Sequence, residues 1–146
     1  MVIDINQIAA HCVAQKKTLT PQRLRILKNI SECIKPITAY DLKSRLDANG
    51  PQLNISTIYR VLEFWIQLGV IHKVDSNKTY IICQNQHSNG LHVIQHCVSC
   101  DGIAENADLT NHMDSFINPY FAPMIDQVIE LKGECKRCLD AKKSPK

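Results

Sequence analysis

Residues Ser56–Cys83 read STIYRVLEFWIQLGVIHKVDSNKTYIIC, and this stretch decides the fold class of the first half of the chain. Its first part spaces apolar side chains as one face of a helix that ends at Gly69, with polar residues such as Arg60 and Glu63 opposite. Its second part is rich in β-branched residues on both sides of Ser76-Asn77-Lys78, which predicts a hairpin. The predicted inner face of the helix is Ile58, Val61, Leu62, Trp65 and Leu68.

Two more helices are predicted upstream. Thr20 precedes Pro21 as a capping residue would, and Leu24, Leu27, Ile30 and Ile34 follow at helical spacing. Thr38 and Asp41 have the spacing of a capping box, ahead of a helix that stops at Gly50-Pro51. Three helices and a hairpin predict a winged helix-turn-helix DNA-binding domain over residues 1–83, whose last helix enters the major groove. A generic helical domain with a hairpin is the alternative.

The second half differs in character. Residues 84–91 are polar and rich in turn formers, which predicts a hinge. Residues 92–146 contain strand-like runs near 92–97, 102–105 and 127–131, a helix over about 109–117, and a basic tail after Cys138 that we expect to be frayed. The predicted fold class is therefore α+β, with a winged-helix domain followed by a small α/β domain.

Composition and charge indicate the cellular compartment of the protein and the kind of partner it binds. The 146 residues include seven cysteines, and the first residues lack the basic and apolar segments of a secretion signal or a membrane span. We therefore expect a cytoplasmic protein without a membrane partner, whose cysteines bind metal rather than form disulfides. Residues 1–83 carry eleven Lys or Arg against six Asp or Glu, so the first half is the one to test for DNA phosphate contacts.

Two C-x-x-C pairs stand out in the second half, Cys97/Cys100 and Cys135/Cys138. Each pair can present two thiolates from a tight turn, and four thiolates complete a closed tetrahedral site for zinc. A redox pair or disulfides are the alternatives, although neither explains two such pairs. The sequence predicts a structural zinc that also contributes folding energy to a small domain.

A second group of candidate ligands surrounds the hinge. If the hairpin turn is centred between Asn77 and Lys78, His72 faces Cys83 across the two strands, close enough to share a metal. Ordinary packing of both residues is the alternative reading. His92 and Glu105 follow the hinge, and the four together would form a site with nitrogen, sulfur and oxygen donors from both halves, which favours zinc.

The chain resembles the ferric uptake regulator family, and within it most closely the zinc uptake regulator branch. The resemblance is carried by LTPQR at Leu19–Arg23, AYDL at Ala39–Leu42, the whole Ser56–Cys83 stretch, and VIELKGEC before the second C-x-x-C pair. It implies a dimeric repressor of zinc-uptake genes that binds pseudo-palindromic operator DNA when zinc fills a sensor site, with two zinc ions per chain.

By position, the resemblance assigns Tyr40, Tyr59 and Arg60 to DNA contact. It assigns the four C-x-x-C cysteines to structural zinc, and His72, Cys83, His92 and Glu105 to regulatory zinc. The third of these ligands stays open, because His87 and His96 lie near His92, which we prefer.

Three rival functions are open, one of which is a constitutive DNA-binding module with only structural zinc. A family member that senses iron, manganese or peroxide is disfavoured by the thiol of Cys83, since thiolates suit zinc better. A zinc hydrolase or nucleobase deaminase would need H-E-x-x-H, or H-x-E with P-C-x-x-C, and the sequence contains none of these motifs. We expect no enzymatic activity.

Overall fold

A computed structural model describes residues 3–84, 90–117 and 127–144. The chain divides into two compact units, Met1–His87 and Ser88–Lys146. The first unit contains α1 Ile5–Ala14, α2 Pro21–Ser31, β1 Ile37–Thr38, α3 Ala39–Ala48, α4 Ile55–Gln67, β2 Ile71–Val74 and β3 Thr79–Ile82. The second contains β4 Leu91–Cys97, β5 Ile103–Glu105, α5 Ala107–Ile117, β6 Gln127–Gly133 and α6 Lys136–Lys143.

The helices of the first unit begin at the predicted capping residues. The Thr20 hydroxyl accepts a hydrogen bond from the Arg23 N–H, and the Thr38 hydroxyl accepts one from the Asp41 N–H. Helix α2 ends at Ser31, so the prediction that Ile34 continues its apolar face is wrong. Ile34 is fully exposed beyond the helix, one residue before Lys35-Pro36.

Helix α4 has the predicted inner face and a well-defined end. Trp65 is completely buried, and its indole N–H donates to the Arg23 carbonyl over 3.1 Å. Gly69 has φ +67°, and the N–H groups of Gly69 and Val70 donate to the carbonyls of Ile66 and Trp65. These two bonds form a Schellman motif, which stops the helix and turns the chain into β2.

The core of the first unit is formed by apolar residues from all four helices and the sheet. Its fully buried members come from every predicted apolar stripe, together with α1, which the sequence analysis did not single out. Among them are Ile8, Cys12, Ile26, Leu27, Leu42, Leu46, Ile58, Leu62, Trp65, Val70 and Ile71.

The hairpin of β2 and β3 forms a three-stranded sheet with β1, in the order β1-β3-β2. Its register differs by two residues from the prediction, because His72 pairs with Ile81 rather than with Cys83. The connecting turn comprises the four residues from Asp75 to Lys78, and Lys78 takes a left-handed conformation with φ +58°. A shift of two positions keeps every side chain on its predicted face.

The second unit is built on the sheet β5-β4-β6, in which β4 pairs antiparallel with β5 and parallel with β6. Helix α5 packs against β4, where the Thr110 hydroxyl accepts a hydrogen bond from the Val93 N–H over 3.0 Å. The fully buried apolar residues described here are few: Leu91, Val93, Ile94 and Cys97. Such a small core needs an additional source of stability.

Two boundaries of the second unit correct the sequence analysis. The segment after Cys138 continues as helix α6 to Lys143, so the expectation of a frayed tail is wrong there. Leu91, placed in the hinge from sequence, already belongs to β4, whereas residues 85–89 of that hinge lie outside the described part.

Among the described residues, none of the helices has both the length and the apolar character needed to cross a membrane.

Candidate metal centres and nucleic-acid face

The second unit gathers the four C-x-x-C cysteines at one end of its sheet. Parallel pairing of β4 with β6 sets Cys97 opposite Gly133, and the Val98 N–H donates to the Gly133 carbonyl over 2.9 Å. This register brings the turn after β4 next to the start of α6. The four sulfur atoms consequently lie within 4.8 Å of one another, as one tetrahedral ion requires.

Hydrogen bonds shift the pKa values of two of these thiols in opposite directions. The Cys135 N–H donates to the Cys97 sulfur over 3.2 Å, and this bond is the main reason that the pKa of Cys97 falls to about 6. By contrast, the pKa of Cys138 rises to about 12, because it hydrogen-bonds Cys135 and is partly desolvated among the other thiols. The donor set fits zinc, whose charge favours the thiolate form of all four.

Three polar side chains next to the cysteines, Ser99, Glu134 and Lys142, form a hydrogen-bonded group that we call the Glu134 clip. Glu134 accepts hydrogen bonds from the Ser99 hydroxyl and from the Lys142 ammonium. Both bonds lower the pKa of Glu134, so its carboxylate stays charged. The clip fixes α6 against the turn that carries Cys100.

The first unit contributes a second pair of candidate ligands. His72 on β2 is fully buried, and Cys83 directly follows β3, where its N–H donates to the Val70 carbonyl over 2.9 Å. The two residues are diagonal neighbours on one face of the hairpin, and their ligand atoms lie within 4.8 Å of each other. The pair predicted from sequence is therefore adjacent, although through a different register.

The second unit contributes a further pair. His92 on β4 and Glu105 at the end of β5 are diagonal neighbours, since Glu105 pairs with Ile94. His92 Nδ1 and Glu105 Oε1 lie 2.7 Å apart, and each side chain is only 1% exposed. A buried carboxylate and imidazole in contact can hold a proton between them or bind a divalent cation.

His96 and His87 are the other candidates for the third regulatory ligand. His96 is buried on β4, and its Nε2 lies 3.2 Å from Asp101 Oδ1. Asp101 reaches it from the turn after Cys100, where its backbone has φ +54°. His87 lies outside the described residues. His92, by contrast, contacts Glu105.

The predicted DNA-contacting residues lie on the exposed side of the first unit. Tyr40 at the start of α3 is 66% exposed, Tyr59 on α4 is 44% exposed, and Arg60 beside it is also exposed. An open groove of about 700 Å³ runs along this face of α4. It is lined by Lys16, Lys17, Thr18, Arg23, Tyr59, Arg60, Glu63, Phe64 and Gln67.

Sequence reasoning missed the part of the groove supplied by Arg23. Its guanidinium lies over the Phe64 ring, 3.8 Å from the ring centre, and also donates to the Thr18 carbonyl. Four basic side chains thus line the groove, an arrangement suited to phosphate groups. The signal was present in LTPQR, whose arginine follows the capping threonine by three positions.

Comparison with known proteins agrees with this architecture. The family model of the ferric uptake regulator family matches residues 15–114. The zinc uptake regulation protein of Escherichia coli K12 is 31% identical over 137 residues, which span 88% of this chain and 77% of that protein. The peroxide-responsive repressor PerR of Staphylococcus aureus USA300 is 27% identical, over 84% of this chain and 82% of that protein.

Solved structures of zinc uptake regulators also match this chain. A zinc uptake regulator complexed with zinc and DNA matches with a TM-score of 0.77 and 28% identity, over 95% of each chain. The holo form of the regulator XcZur matches in fold with a TM-score of 0.71 and 23% identity, over 92% of this chain and 96% of that one. These relatives are regulators and repressors. On the extent of the family match and the identity to its zinc-uptake member, the chain belongs to the ferric uptake regulator family.

Proposed function

We propose that this protein is a zinc-responsive transcriptional repressor, which binds pseudo-palindromic operator DNA as a homodimer and represses zinc-uptake genes. The observation that carries the zinc assignment is the buried His72–Cys83 pair on the hairpin, because it adds a sulfur donor to the sensor. A repressor of this kind acts on chromosomal DNA, so we place it in the cytoplasm. Residues 1–83 would bind DNA, residues 84–90 would form the hinge, and residues 91–146 would dimerise.

The regulatory site in this proposal consists of His72, Cys83, His92 and Glu105. Each unit supplies two of these donors from neighbouring strands, and neither pair alone provides the four ligands of a stable zinc site. A zinc ion bound to all four would link the hairpin of the first unit to the sheet of the second. His92 is preferred over His96 as the third ligand, since His96 contacts Asp101 instead.

The structural site consists of Cys97, Cys100, Cys135 and Cys138, which brings the expected content to two zinc ions per chain. Its support is the closeness of the four sulfur atoms and the small apolar core of the unit that holds them. Both features fit a metal whose binding contributes to folding.

DNA recognition would use the exposed face of α4. Arg60 can read a guanine edge with its two-pronged guanidinium, while Tyr40 and Tyr59 contact phosphates or thymine methyl groups. The basic residues of the adjoining groove would hold the phosphate backbone. Linking the hairpin to the dimerising half would fix the spacing of the two α4 helices, so that occupancy of the regulatory site raises operator affinity.

The thiol of Cys83 favours zinc over iron, manganese or peroxide as the signal that this repressor senses. The peroxide-responsive relative shows that the family includes repressors with other inputs. A sensor for iron or manganese would be served better by nitrogen and oxygen donors than by a buried thiol. An enzymatic role is not favoured, because the relatives found are regulators.

The test compares Cys83→Ser with the matched control Cys33→Ser, since Cys33 belongs to neither group of candidate ligands. The probe is a duplex enriched from a random library by the zinc-loaded protein. We expect Cys83→Ser to bind this duplex equally at low and high buffered zinc, and Cys33→Ser to keep the zinc response. A full zinc response in Cys83→Ser would contradict the proposed sensor.

A further inference from the structure

Phe64 is an aromatic residue in the groove along α4, among the basic side chains that would hold the DNA backbone. It is partly buried against the core of the first unit and also lines the groove. Its ring carries no charge and has no group that donates a strong hydrogen bond to a phosphate. What Phe64 contributes to this face therefore depends on the cation that its ring contacts.

The ring of Phe64 supports the guanidinium of Arg23. The guanidinium carbon lies 3.8 Å from the ring centre, where the face of an aromatic ring attracts a cation. The next residue of α4 holds the same arginine by its backbone, because the Trp65 indole N–H donates to the Arg23 carbonyl over 3.1 Å. Two consecutive aromatic residues of α4, whose ring centres are 4.9 Å apart, thus fix Arg23 at both ends.

Arg23 in turn holds the segment between α1 and α2. Its guanidinium donates to the Thr18 carbonyl, and Lys16 shortly before has a left-handed backbone with φ +54°. Lys16 and Lys17 line the same groove as Arg60. One stacked guanidinium therefore connects the segment that supplies two lysines to the helix that supplies Arg60.

We propose that Phe64 is a positioning residue for DNA binding, which through Arg23 holds residues 16–18 where their lysines and Arg23 itself meet the phosphate backbone. This inference rests on the operator binding of the proposed function. A guanidinium stacked on a ring keeps its remaining N–H donors in one plane, available to a phosphate. Each phosphate that a cation neutralises releases counterions, so DNA affinity falls steeply with salt. Removing the uncharged ring should therefore change the salt dependence of binding, because the cations that it supports are displaced.

The experiment measures binding of the zinc-loaded full-length protein, over a salt series, to a duplex enriched from a random library by the wild type. Phe64→Leu removes the aromatic face and leaves every charge in place. It should bind about tenfold more weakly at low salt, because each protomer of the dimer loses one cation–aromatic contact. The slope of log affinity against log salt should become shallower by about one per protomer, so the difference shrinks at high salt. Phe64→Tyr, which keeps the ring, should restore the wild-type slope.

A double-mutant cycle tests whether Phe64 acts through Arg23. In an Arg23→Met background the guanidinium is absent, so Phe64→Leu should cause little further loss of affinity. The matched control is Ile66→Ala, since Ile66 is also partly buried on α4 but lies outside the groove. This control should lower the free energy of unfolding in urea and leave the salt slope unchanged.

Three results would overturn the proposal: a wild-type slope in Phe64→Leu, an equal change of slope in Ile66→Ala, or a full further loss of affinity in the Arg23→Met background. Failure of the wild-type protein to enrich or bind any duplex at high zinc would instead refute the proposed function, a result distinct from these three.

Discussion

His92 Nδ1 and Glu105 Oε1 lie 2.7 Å apart with both side chains almost completely buried. Burying an ionisable pair costs solvation free energy, which hydrophobic residues of similar size would avoid. Adjacent strands hold the pair in place, so the contact is a fixed feature of the second unit. In the proposed regulatory site, a divalent cation bound to both side chains would offset this cost.

Glu105→Gln should weaken the regulatory zinc by about 100-fold while leaving the structural zinc in place. The amide keeps the shape and a hydrogen bond to His92 but lacks the charge of the carboxylate, and disturbing even an outer-shell partner costs 10- to 100-fold. Competition with a fluorescent zinc chelator measures the change. Glu130→Gln, on the neighbouring strand β6, is the control. Unchanged affinity in Glu105→Gln would remove Glu105 from the site.

Arg60→Ala should lower operator affinity by about 1 to 3 kcal/mol and relax base preference at one position per half-site. The residue is exposed on α4 beside Tyr59, on the face that we propose reads DNA. Sequencing of duplexes selected by the variant from a random library measures the preference. Identical selected motifs for variant and wild type would show that Arg60 reads no base.

Gly50→Ala should destabilise the first unit by about 1 kcal/mol through Arg25. The Arg25 guanidinium donates to the carbonyls of Leu46 and Pro51, and a Cβ at position 50 would lie 2.7 Å from its Nη2 atom. The added methyl displaces the guanidinium and leaves the end of α3 without this cap. Urea unfolding measures the loss.

The same substitution has an internal control. In an Arg25→Ala background there is no guanidinium to displace, and an alanine at position 50 restricts the unfolded chain. Gly50→Ala should then be neutral or slightly stabilising. Equal destabilisation in both backgrounds would show that the two residues are not coupled.

Asp47 should make stability depend on pH in the acid range. Its pKa is lowered chiefly by the hydrogen bond from Lys43, and then by the Leu53 N–H at 3.0 Å. Because the folded pKa lies below the unfolded one, this stabilisation is present above about pH 4 and is lost as pH falls through the folded pKa. The stability gap between wild type and Asp47→Asn should therefore hold between about pH 5 and 7 and close below about pH 4.

One further variant, Lys43→Met, completes this comparison between wild type and Asp47→Asn. Acid also releases zinc, but that loss is common to both proteins and cancels in the difference between their unfolding free energies. Lys43→Met removes the first cause of the lowered pKa and should reduce the gap. A gap that stays constant down to pH 3 would contradict the role of Asp47.

Much of the first unit could be predicted because its local signals agree. Thr20 and Thr38 mark helix starts with their hydroxyls, and the apolar face of α4 is complete from Ile58 to Trp65. The hairpin register was wrong by two residues because turn length depends on backbone conformation, here the left-handed Lys78, which composition does not reveal. Its faces were right, since only an odd shift exchanges them.

Helix α6 could not be predicted because tertiary contacts stabilise it. Its sequence KRCLDAKK has few apolar residues and resembles a disordered tail. In the structure Cys135 stands before its first turn, and Lys142 near its end pairs with Glu134. The four cysteines were evident from their spacing, whereas the contact of Lys142 with Glu134 depends on how α6 packs.

In the proposed function, one removable zinc ion per chain controls DNA binding, while a second stabilises the fold. Native mass spectrometry of the wild-type protein, paired with DNA binding across a buffered zinc series, measures both ions against function. We expect two zinc ions per chain at high zinc, and loss of one ion at the same zinc concentration at which DNA binding is lost. Unchanged DNA binding after the first ion leaves, or a single ion per chain throughout, would refute zinc control of this protein.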